Sequence, residues 1–148
     1  MTAQAPRPTD DQLAISALLY RYARAVDTKD RALYRSVFTE DAVIDYTSAG
    51  AVCGTRDEVA DWLAAGFAAI PMSMHYVTNI EVLGHSGDTA TVRAMFYNPM
   101  QLPGMTDVSC CGGYHHHELV RTPDGWRSRN LREENIWFTN PPGRPDIG

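Results

Sequence analysis

Four β-favouring runs decide the fold of this chain: MHYVTNIEVL (residues 74–83), TATVRAMFYNPM (89–100), SCCGGYHHHELVRT (109–122) and WRSRNLREENIWFT (126–139). Each run is rich in β-branched and aromatic residues, which fit the pleated surface of a sheet. Turn-forming residues lie between the first and second runs (GHSGD, 84–88) and between the third and fourth (PDG, 123–125). The pattern therefore predicts four long strands in antiparallel order.

Two amphipathic helices are predicted ahead of these strands. Thr9 and Gln12 have the spacing of a capping box, so we expect the first helix to start there. Apolar residues then recur three and four positions apart in a stripe that has Tyr22 in its middle: Ile15, Leu18, Leu19, Tyr22 and Val26. Thr55 and Glu58 repeat the capping-box spacing before a second stripe: Val59, Trp62, Leu63 and Phe67.

The order of these elements predicts the fold class. A short helical piece ending at Tyr34 and a strand at residues 42–46 (AVIDY) lie between the two helices. Helices first and an antiparallel meander afterwards indicate an α+β domain, with the helices packed on one face of a strongly curved sheet and a pocket between the layers. We expect a flexible N-terminus at residues 1–9, one domain at 10–139 and an irregular tail at 140–148.

Composition excludes several classes of protein. The chain has 148 residues, 44% apolar and 21% charged, which suits one globular domain. Its net charge of -5 has the wrong sign for neutralising phosphates, so nucleic acid is not an expected partner. Three cysteines without a C-x-x-C pair indicate neither a disulfide framework nor a thiolate zinc site, and a reducing cytoplasm fits them best. No segment reaches the roughly 18 apolar residues of a membrane helix, and no export signal is apparent.

Asp27 and His75 are the first candidates for chemistry. Asp27 lies at the C-terminal end of the first helix, where the helix dipole disfavours a carboxylate. Either Asp27 or Thr28 caps the next helical turn, or Asp27 points inward and pairs with a histidine. His75 opens the first long strand and, with period 2, shares a face with Val77 and Asn79. A lone strand histidine is more often structural, although histidine is the usual proton carrier near neutral pH.

A run of three histidines lies in the third strand. With period 2, His115 and His117 face one way and His116 faces the other. His115 and His117 could bind a metal ion together with His75. The alternative is a polar wall in which one or two of them donate hydrogen bonds into the pocket while the others face solvent or a neighbouring subunit.

The remaining candidates are less specific. Cys110 and Cys111 precede two glycines at 112–113, where a bulge or a tight bend is expected, and we interpret them as small buried thiols. His85 lies in a polar turn and is expected to be solvated. Tyr46 ends its strand either as a core phenol or as a hydrogen-bond donor to a ligand.

Several segments, taken in order, resemble the SnoaL-like family of the nuclear transport factor 2-like superfamily. The resemblance covers about residues 10–138, and these segments carry it: YRYARAVD (20–27) with Asp30, FTEDAVIDY (38–46), GTRDE (54–58), HYVTN (75–79) and ELVRTPDGWR (118–127). It implies a cone-shaped α+β barrel, with N-terminal helices packed on a strongly curved, mainly antiparallel sheet. It also implies a homo-oligomer, either a trimer or a dimer.

The combination of Asp27 and His75 is similar to the catalytic pair of three lyases in that family: scytalone dehydratase, the bile-acid 7α-dehydratases and hexachlorocyclohexane dehydrochlorinase. The resemblance implies that His75 abstracts a proton and that Asp27 holds its imidazole in the right tautomer. Tyr22 matches the catalytic tyrosine of the bile-acid enzymes, and Tyr46 resembles a water-positioning tyrosine of scytalone dehydratase. The chain departs from scytalone dehydratase at residues 97–100 (YNPM), where that enzyme has its second histidine.

These observations predict a cofactor-independent lyase, most similar to a dehydratase, that acts on a hydrophobic cyclic small molecule. His75 is the expected base, Asp27 its orienter and Tyr22 the acid or oxyanion donor. The expected substrate-binding residues are Tyr46, Asn79, His115, His117 and Trp62. The alternatives are an isomerase or cyclase using the same base, a non-catalytic binding domain, and a metal enzyme built on the histidines.

Overall fold

The computed structural model describes residues 8–142. Its helices are α1 (Pro8–Asp27), α2 (Arg31–Val37) and α3 (Arg56–Phe67), and a short 3-10 turn spans Thr47–Ala49. Its strands are β1 (Phe38–Asp45), β2 (Cys53–Thr55), β3 (Met72–Ser73), β4 (Tyr76–Ser86), β5 (Thr89–Gln101), β6 (Ser109–Thr122) and β7 (Gly125–Thr139). Within the described residues, no helix combines the length and the apolar character that crossing a membrane requires.

The strands form one sheet of seven, in the order β2-β1-β7-β6-β5-β3, with β4 also paired to β5. Every pairing is antiparallel except β1 with β7, which is parallel. The sheet curls strongly and the three helices pack against it, so the α+β cone expected from the sequence is confirmed. The four predicted long strands are β4 to β7, in the expected antiparallel order.

The helix starts agree only in part with the sequence patterns. α1 begins at Pro8, so Thr9 lies inside the helix and the predicted capping box there is wrong; proline is well suited to a first helical turn because it lacks an N–H. Pro8 and Thr9 are thus helical, while residues 1–7 of the expected flexible N-terminus and 143–148 of the expected tail lie outside the described residues. The capping box of Thr55 and Glu58 is confirmed at α3.

The core forms where the α1 stripe meets the interior of the sheet. All five predicted stripe residues are buried, and their strand partners are equally inaccessible: Ile44, Val92, Leu119 and Leu131. Burial of each such side chain stabilises the fold by about 1.5–3 kcal/mol. A second, smaller cluster comprises Phe96, Met100, Leu102 and Cys111. The space between the two clusters is not filled.

An ion-pair cluster fastens the start of α1 to the strand turns. Arg121 binds both carboxylate oxygens of Asp11 at 3.0 and 2.9 Å, and its guanidinium lies 4.5 Å from the ring centre of Trp126. Hydrogen bonds from Arg121 hold the pKa of Asp11 below its ordinary value. His85 is exposed, as expected, and its Nε2 lies 3.2 Å from Asp11. The cluster is at the N-terminal end of α1, whereas Asp27 ends the same helix.

Candidate active site

A cavity with about 610 Å³ of empty space opens between the helices and the sheet. Most of its lining is apolar, including Val26, Leu63, Phe67, Phe96, Met100 and Phe138. Five polar side chains also reach it: Tyr22, Tyr46, His75, Asn98 and Glu133. An apolar cavity with a few convergent polar groups is the usual form of a site for a hydrophobic ligand.

His75 lines this cavity and pairs with Asp27. The Nδ1 of His75 lies 2.6 Å from Oδ1 of Asp27, and the backbone N–H of His75 donates to Oδ2 at 2.7 Å. Ser73 donates its hydroxyl to the same carboxylate at 3.0 Å. Asp27 therefore does not cap α2; that role belongs to Asp30, which accepts from the backbone N–H of Leu33. The helix dipole disfavours the Asp27 carboxylate at the end of α1, and these three hydrogen bonds to the carboxylate offset that effect.

The break between β3 and β4 places His75. Both strands pair with β5, and His75 lies in the gap between them. Its backbone N–H is bound by Asp27 and so does not join the sheet ladder. The gap turns the imidazole toward the helices, where its side chain is only 8% exposed. Two short hydrogen bonds to one carboxylate fix both the position and the orientation of the ring.

Asn98 on β5 is the second contact of the His75 ring. The amide fits its surroundings best with Nδ2 donating to the backbone oxygens of Pro99 and Met74, at 3.2 and 3.3 Å. In that orientation its Oδ1 lies 3.1 Å from Nε2 of His75. The protonated imidazole then has an acceptor for each of its N–H groups, Asp27 on one side and Asn98 on the other. Asn98 was not predicted from the sequence as a site residue, although it lies in the run 97–100, where scytalone dehydratase has its second histidine.

Asn79 does not share the face of His75, so its expected place in the pocket is wrong. Asn79 has a positive φ of 49°, and the register between β4 and β5 shifts between Thr78 and Glu81. The bulge breaks the period of 2, so Ile80 packs toward the core while Asn79 is exposed. Asparagine tolerates the left-handed conformation better than most residues, which explains its presence at the bulge.

Three tyrosines form a chain of hydroxyl groups, and two of them, Tyr22 and Tyr46, line the cavity. The Tyr46 oxygen lies 2.6 Å from that of Tyr22 and 2.9 Å from that of Tyr34. Burial raises the pKa of all three phenols, so each keeps its proton. When Tyr34 donates to Tyr46 and Tyr46 to Tyr22, the proton of Tyr22 is free to point into the cavity. Such a chain strengthens its last donor.

His115 and His117 lie behind the cavity wall. Their side chains point inward, as the strand period predicts, but Tyr22 covers them with ring centres 5.3 and 6.2 Å away, and Phe96 stacks on His115 at 4.5 Å. Neither residue lines the cavity, which corrects their expected contact with substrate. Burial lowers the pKa of each to about 3, so both are neutral. Trp62, by contrast, lines the cavity and is partly exposed to solvent.

Glu133 on β7 is a second polar cavity residue that was not predicted from the sequence. Its side chain is 12% exposed, and burial raises its pKa to about 7 against the opposing effect of His75. The signal was available in the alternation of β7, since Leu131 and Glu133 are two residues apart and both face inward. The predicted bulge is confirmed: the β6–β7 register shifts at Gly112 and Gly113. This shift lets Phe138 line the cavity together with Glu133 despite their odd spacing.

The donor geometry does not favour the metal alternative. Among residues 8–142, no three His, Cys, Asp or Glu side chains are arranged to bind a metal ion together. All three cysteines lie in this range and are free thiols. Cys110 is half-buried, and Cys111 is buried in the cavity wall, where burial raises its pKa to about 11 and keeps it protonated.

Comparison with known proteins gives close agreement in fold. An uncharacterized protein of Mycobacterium tuberculosis is 37% identical over 118 residues, 79% of this chain and 80% of the relative. A crystal structure of a Kribbella flavida protein superposes with a TM-score of 0.82 and 28% identity, over 90% of this chain and 96% of that one. A hexachlorocyclohexane dehydrochlorinase superposes with a TM-score of 0.79 and 19% identity, over 94% and 96% of the two chains.

The family model for the SnoaL-like domain matches residues 7–132, which include the helices and nearly all of the site. The match reaches Asp27, His75 and Asn98 and ends one residue before Glu133. The cone of three helices on a curled sheet is the fold that this family shares with its structural neighbours. The chain therefore belongs to the SnoaL-like domain family.

Proposed function

We propose that this protein is a cofactor-independent lyase, similar to a dehydratase, that acts on a hydrophobic cyclic small molecule. One observation carries the proposal: His75 Nδ1 lies 2.6 Å from the Asp27 carboxylate in the wall of a mainly apolar cavity. A histidine oriented by a carboxylate can accept a proton on its other nitrogen. The likeness to a dehydrochlorinase, whose name describes an elimination, supports the same class of reaction.

The proposed reaction begins with proton transfer. Nε2 of His75 takes a proton from a carbon next to a carbonyl group, and the C–H electron pair forms an enolate. Asp27 accepts the Nδ1–H of the resulting imidazolium and stabilises its charge. Tyr22 donates its hydroxyl to the enolate oxygen; because burial raises its pKa, it acts as a hydrogen-bond donor and retains its proton.

Elimination completes the reaction. The enolate electrons form the new C=C bond as the C–O bond of a neighbouring hydroxyl breaks. The imidazolium returns its proton to the departing hydroxyl, so water leaves and His75 is again neutral. One base thus serves both steps, provided that the proton and the hydroxyl leave from the same face of the ring.

The test uses a neutral cyclic β-hydroxy ketone, 3-hydroxy-1-tetralone, whose dehydration gives the fluorescent product 1-naphthol. We expect the wild type to convert it with loss of one water, as measured by fluorescence and mass spectrometry. His75→Ala and Asp27→Asn should each lower the rate by about 10²-fold or more. His116→Ala is the matched control, because His116 faces away from the cavity and binds Glu134. Unchanged rates in both dyad variants would refute the mechanism.

The isomerase alternative uses the same base without loss of water. In deuterated water, exchange of the proton next to the carbonyl without formation of 1-naphthol would favour it. Binding of the probe with neither exchange nor elimination would instead favour a binding domain without catalysis. Both measurements use the same protein and probe, so the three functions are separated in one experiment.

A further inference from the structure

Glu133 is a buried carboxyl group to which the dyad mechanism assigns no role. It lies on β7, in a different wall of the cavity from His75, and its neighbour Glu134 points outward to His116. The strand alternation and the bulge at Gly112 and Gly113 place Glu133 in the cavity. A carboxyl group in an apolar wall is unfavourable unless it has a partner. Its side chain lines the cavity, where a ligand can contact it.

The groups that face Glu133 provide no lysine or arginine. They are His75 from the β3–β4 gap, Tyr22 of α1, Tyr34 of α2, Cys111 and His115 of β6, and Asn135 of β7, whose uncharged side chain lowers the pKa of Glu133. Oε2 of Glu133 lies 3.4 Å from Nε2 of His115, beyond a normal hydrogen bond for this geometry, and that nitrogen has no hydrogen-bond partner. His115 is fully buried and neutral. Only His75, when protonated, supplies a positive charge.

The absence of a fixed cation among these facing groups favours the neutral carboxyl. Burial raises the pKa of Glu133 to about 7, so a large fraction carries a proton at neutral pH. A protonated carboxyl has an O–H to donate and a C=O to accept. It can therefore bind a ligand oxygen that is itself uncharged, and it provides this donor at a second point, distinct from Tyr22.

We propose that Glu133, in its protonated form, is the polar anchor for the substrate, where it donates a hydrogen bond to an uncharged carbonyl or hydroxyl oxygen of a hydrophobic ring compound. This inference rests on the proposed function and narrows its substrate class to neutral molecules. An anionic ligand would bring a second negative charge beside Asp27. It would also be repelled by Glu133 whenever that carboxyl group is ionised. A cationic ligand would require the ionised carboxylate, whose desolvation the apolar wall opposes.

The test compares two naphthalenes of nearly the same shape, 2-acetonaphthone, which has a carbonyl group, and 2-ethylnaphthalene, which does not. Binding to the full chain is measured by fluorescence titration at about pH 6 and about pH 8. Because only protonated Glu133 donates, the affinity for the ketone should fall about tenfold between these pH values. The hydrocarbon should bind with the same affinity at both.

Variants assign the effect to Glu133. Glu133→Gln keeps an N–H donor but does not titrate, so it should bind the ketone with the same affinity at both pH values. Glu133→Ala should lose most of the preference for the ketone over the hydrocarbon. Glu134→Gln, the outward-facing neighbour, is the matched control and should retain the wild-type pH dependence. Persistence of that dependence in Glu133→Gln would overturn the proposal.

The outcomes separate this proposal from the proposed function. Tight binding of both naphthalenes, with the same affinity at both pH values, would overturn only the role of Glu133 as anchor. The proposal of a hydrophobic site would still hold. Failure of both compounds to bind would contradict both proposals. Tighter binding of 2-naphthylmethylamine than of the ketone at about pH 8 would identify an ionised Glu133 that binds cations, and would also overturn the anchor.

Discussion

His115 and His117 are two imidazoles held uncharged inside the sheet. Burial lowers the pKa of each to about 3, whereas in the unfolded chain each has the ordinary value of 6.5. Below pH 6.5 the unfolded chain therefore binds protons that the folded protein does not. Their contribution to stability is complete above 6.5 and is lost as the pH falls toward 3. The folded protein depends on these two rings remaining neutral.

We predict that His117→Gln makes the fold less sensitive to acid. Between about pH 6.5 and about pH 5, the free energy of unfolding of the wild type should fall by about 1.4 kcal/mol per pH unit more than that of the variant. Urea denaturation followed by circular dichroism at several pH values measures the two slopes. His116→Gln is the control, since His116 is partly exposed and faces outward. Parallel slopes for the wild type and His117→Gln would contradict the prediction.

The β6–β7 hairpin shows how a pair of glycines shapes the site at the level of one element. A Cβ atom on Gly113 would lie 1.9 Å from the backbone oxygen of Glu134, and one on Gly112 would lie 2.5 Å from the ring of Trp137. A side chain at position 113 would require the β7 backbone to move, and one at position 112 would require the Trp137 ring to move. The bulge that these glycines permit brings Glu133 and Phe138 to the same cavity.

We predict that Gly113→Ala destabilises the fold by about 3 kcal/mol, because the clash is with backbone and cannot be relieved by a rotamer change. Gly66→Ala is the matched control: Gly66 lies in α3, and a Cβ there would meet nothing within 4 Å. That variant should be stabilised by about 0.5–1 kcal/mol, since alanine is the better helix former. Thermal unfolding of the two variants measures whether each substitution stabilises or destabilises the fold. Equal stability of Gly113→Ala and the wild type would refute the close approach of Gly113 to the backbone of Glu134.

On the scale of the whole molecule, the outer face of the sheet carries a row of exposed aromatic residues. Tyr97 lies between Tyr76 and Trp137, with ring centres 5.9 Å from each, and Met95 and Ile136 extend the patch. Contiguous exposed apolar surface of this kind marks an interaction site. An uncharged patch is complementary to itself, as a two-fold interface requires, and we propose that a second copy of this chain covers it.

We predict that the wild type is a homo-oligomer and that Ile136→Glu shifts it toward the monomer, because the new carboxylates would be buried together at the interface. Light scattering coupled to size-exclusion chromatography measures the mass. Leu83→Glu is the control, since Leu83 is also exposed on a strand but lies outside the patch. A monomeric wild type, or equal masses for the two variants, would contradict self-association through this face.

The sequence by itself determined most of the helices and strands. It left the pairing of Asp27 with His75 as one of two alternatives. Period and capping patterns predicted α1, α3 and the four long strands, because those signals depend on neighbours within a few residues. They could not decide whether Asp27 capped a helix or met His75. That choice depends on the gap between β3 and β4, which the pairing of both strands with β5 creates.

Only the tertiary structure decided which polar side chains reach the cavity. The strand period predicts that Asn79 faces the cavity, but a bulge turns its side chain toward solvent. His115 and His117 point inward, yet Tyr22 and Phe96 lie between them and the cavity. Glu133 and Asn98 enter the cavity instead. The physical reason is that the face of a residue follows from local period, whereas exposure to a cavity depends on register shifts and on side chains that distant segments lay over it.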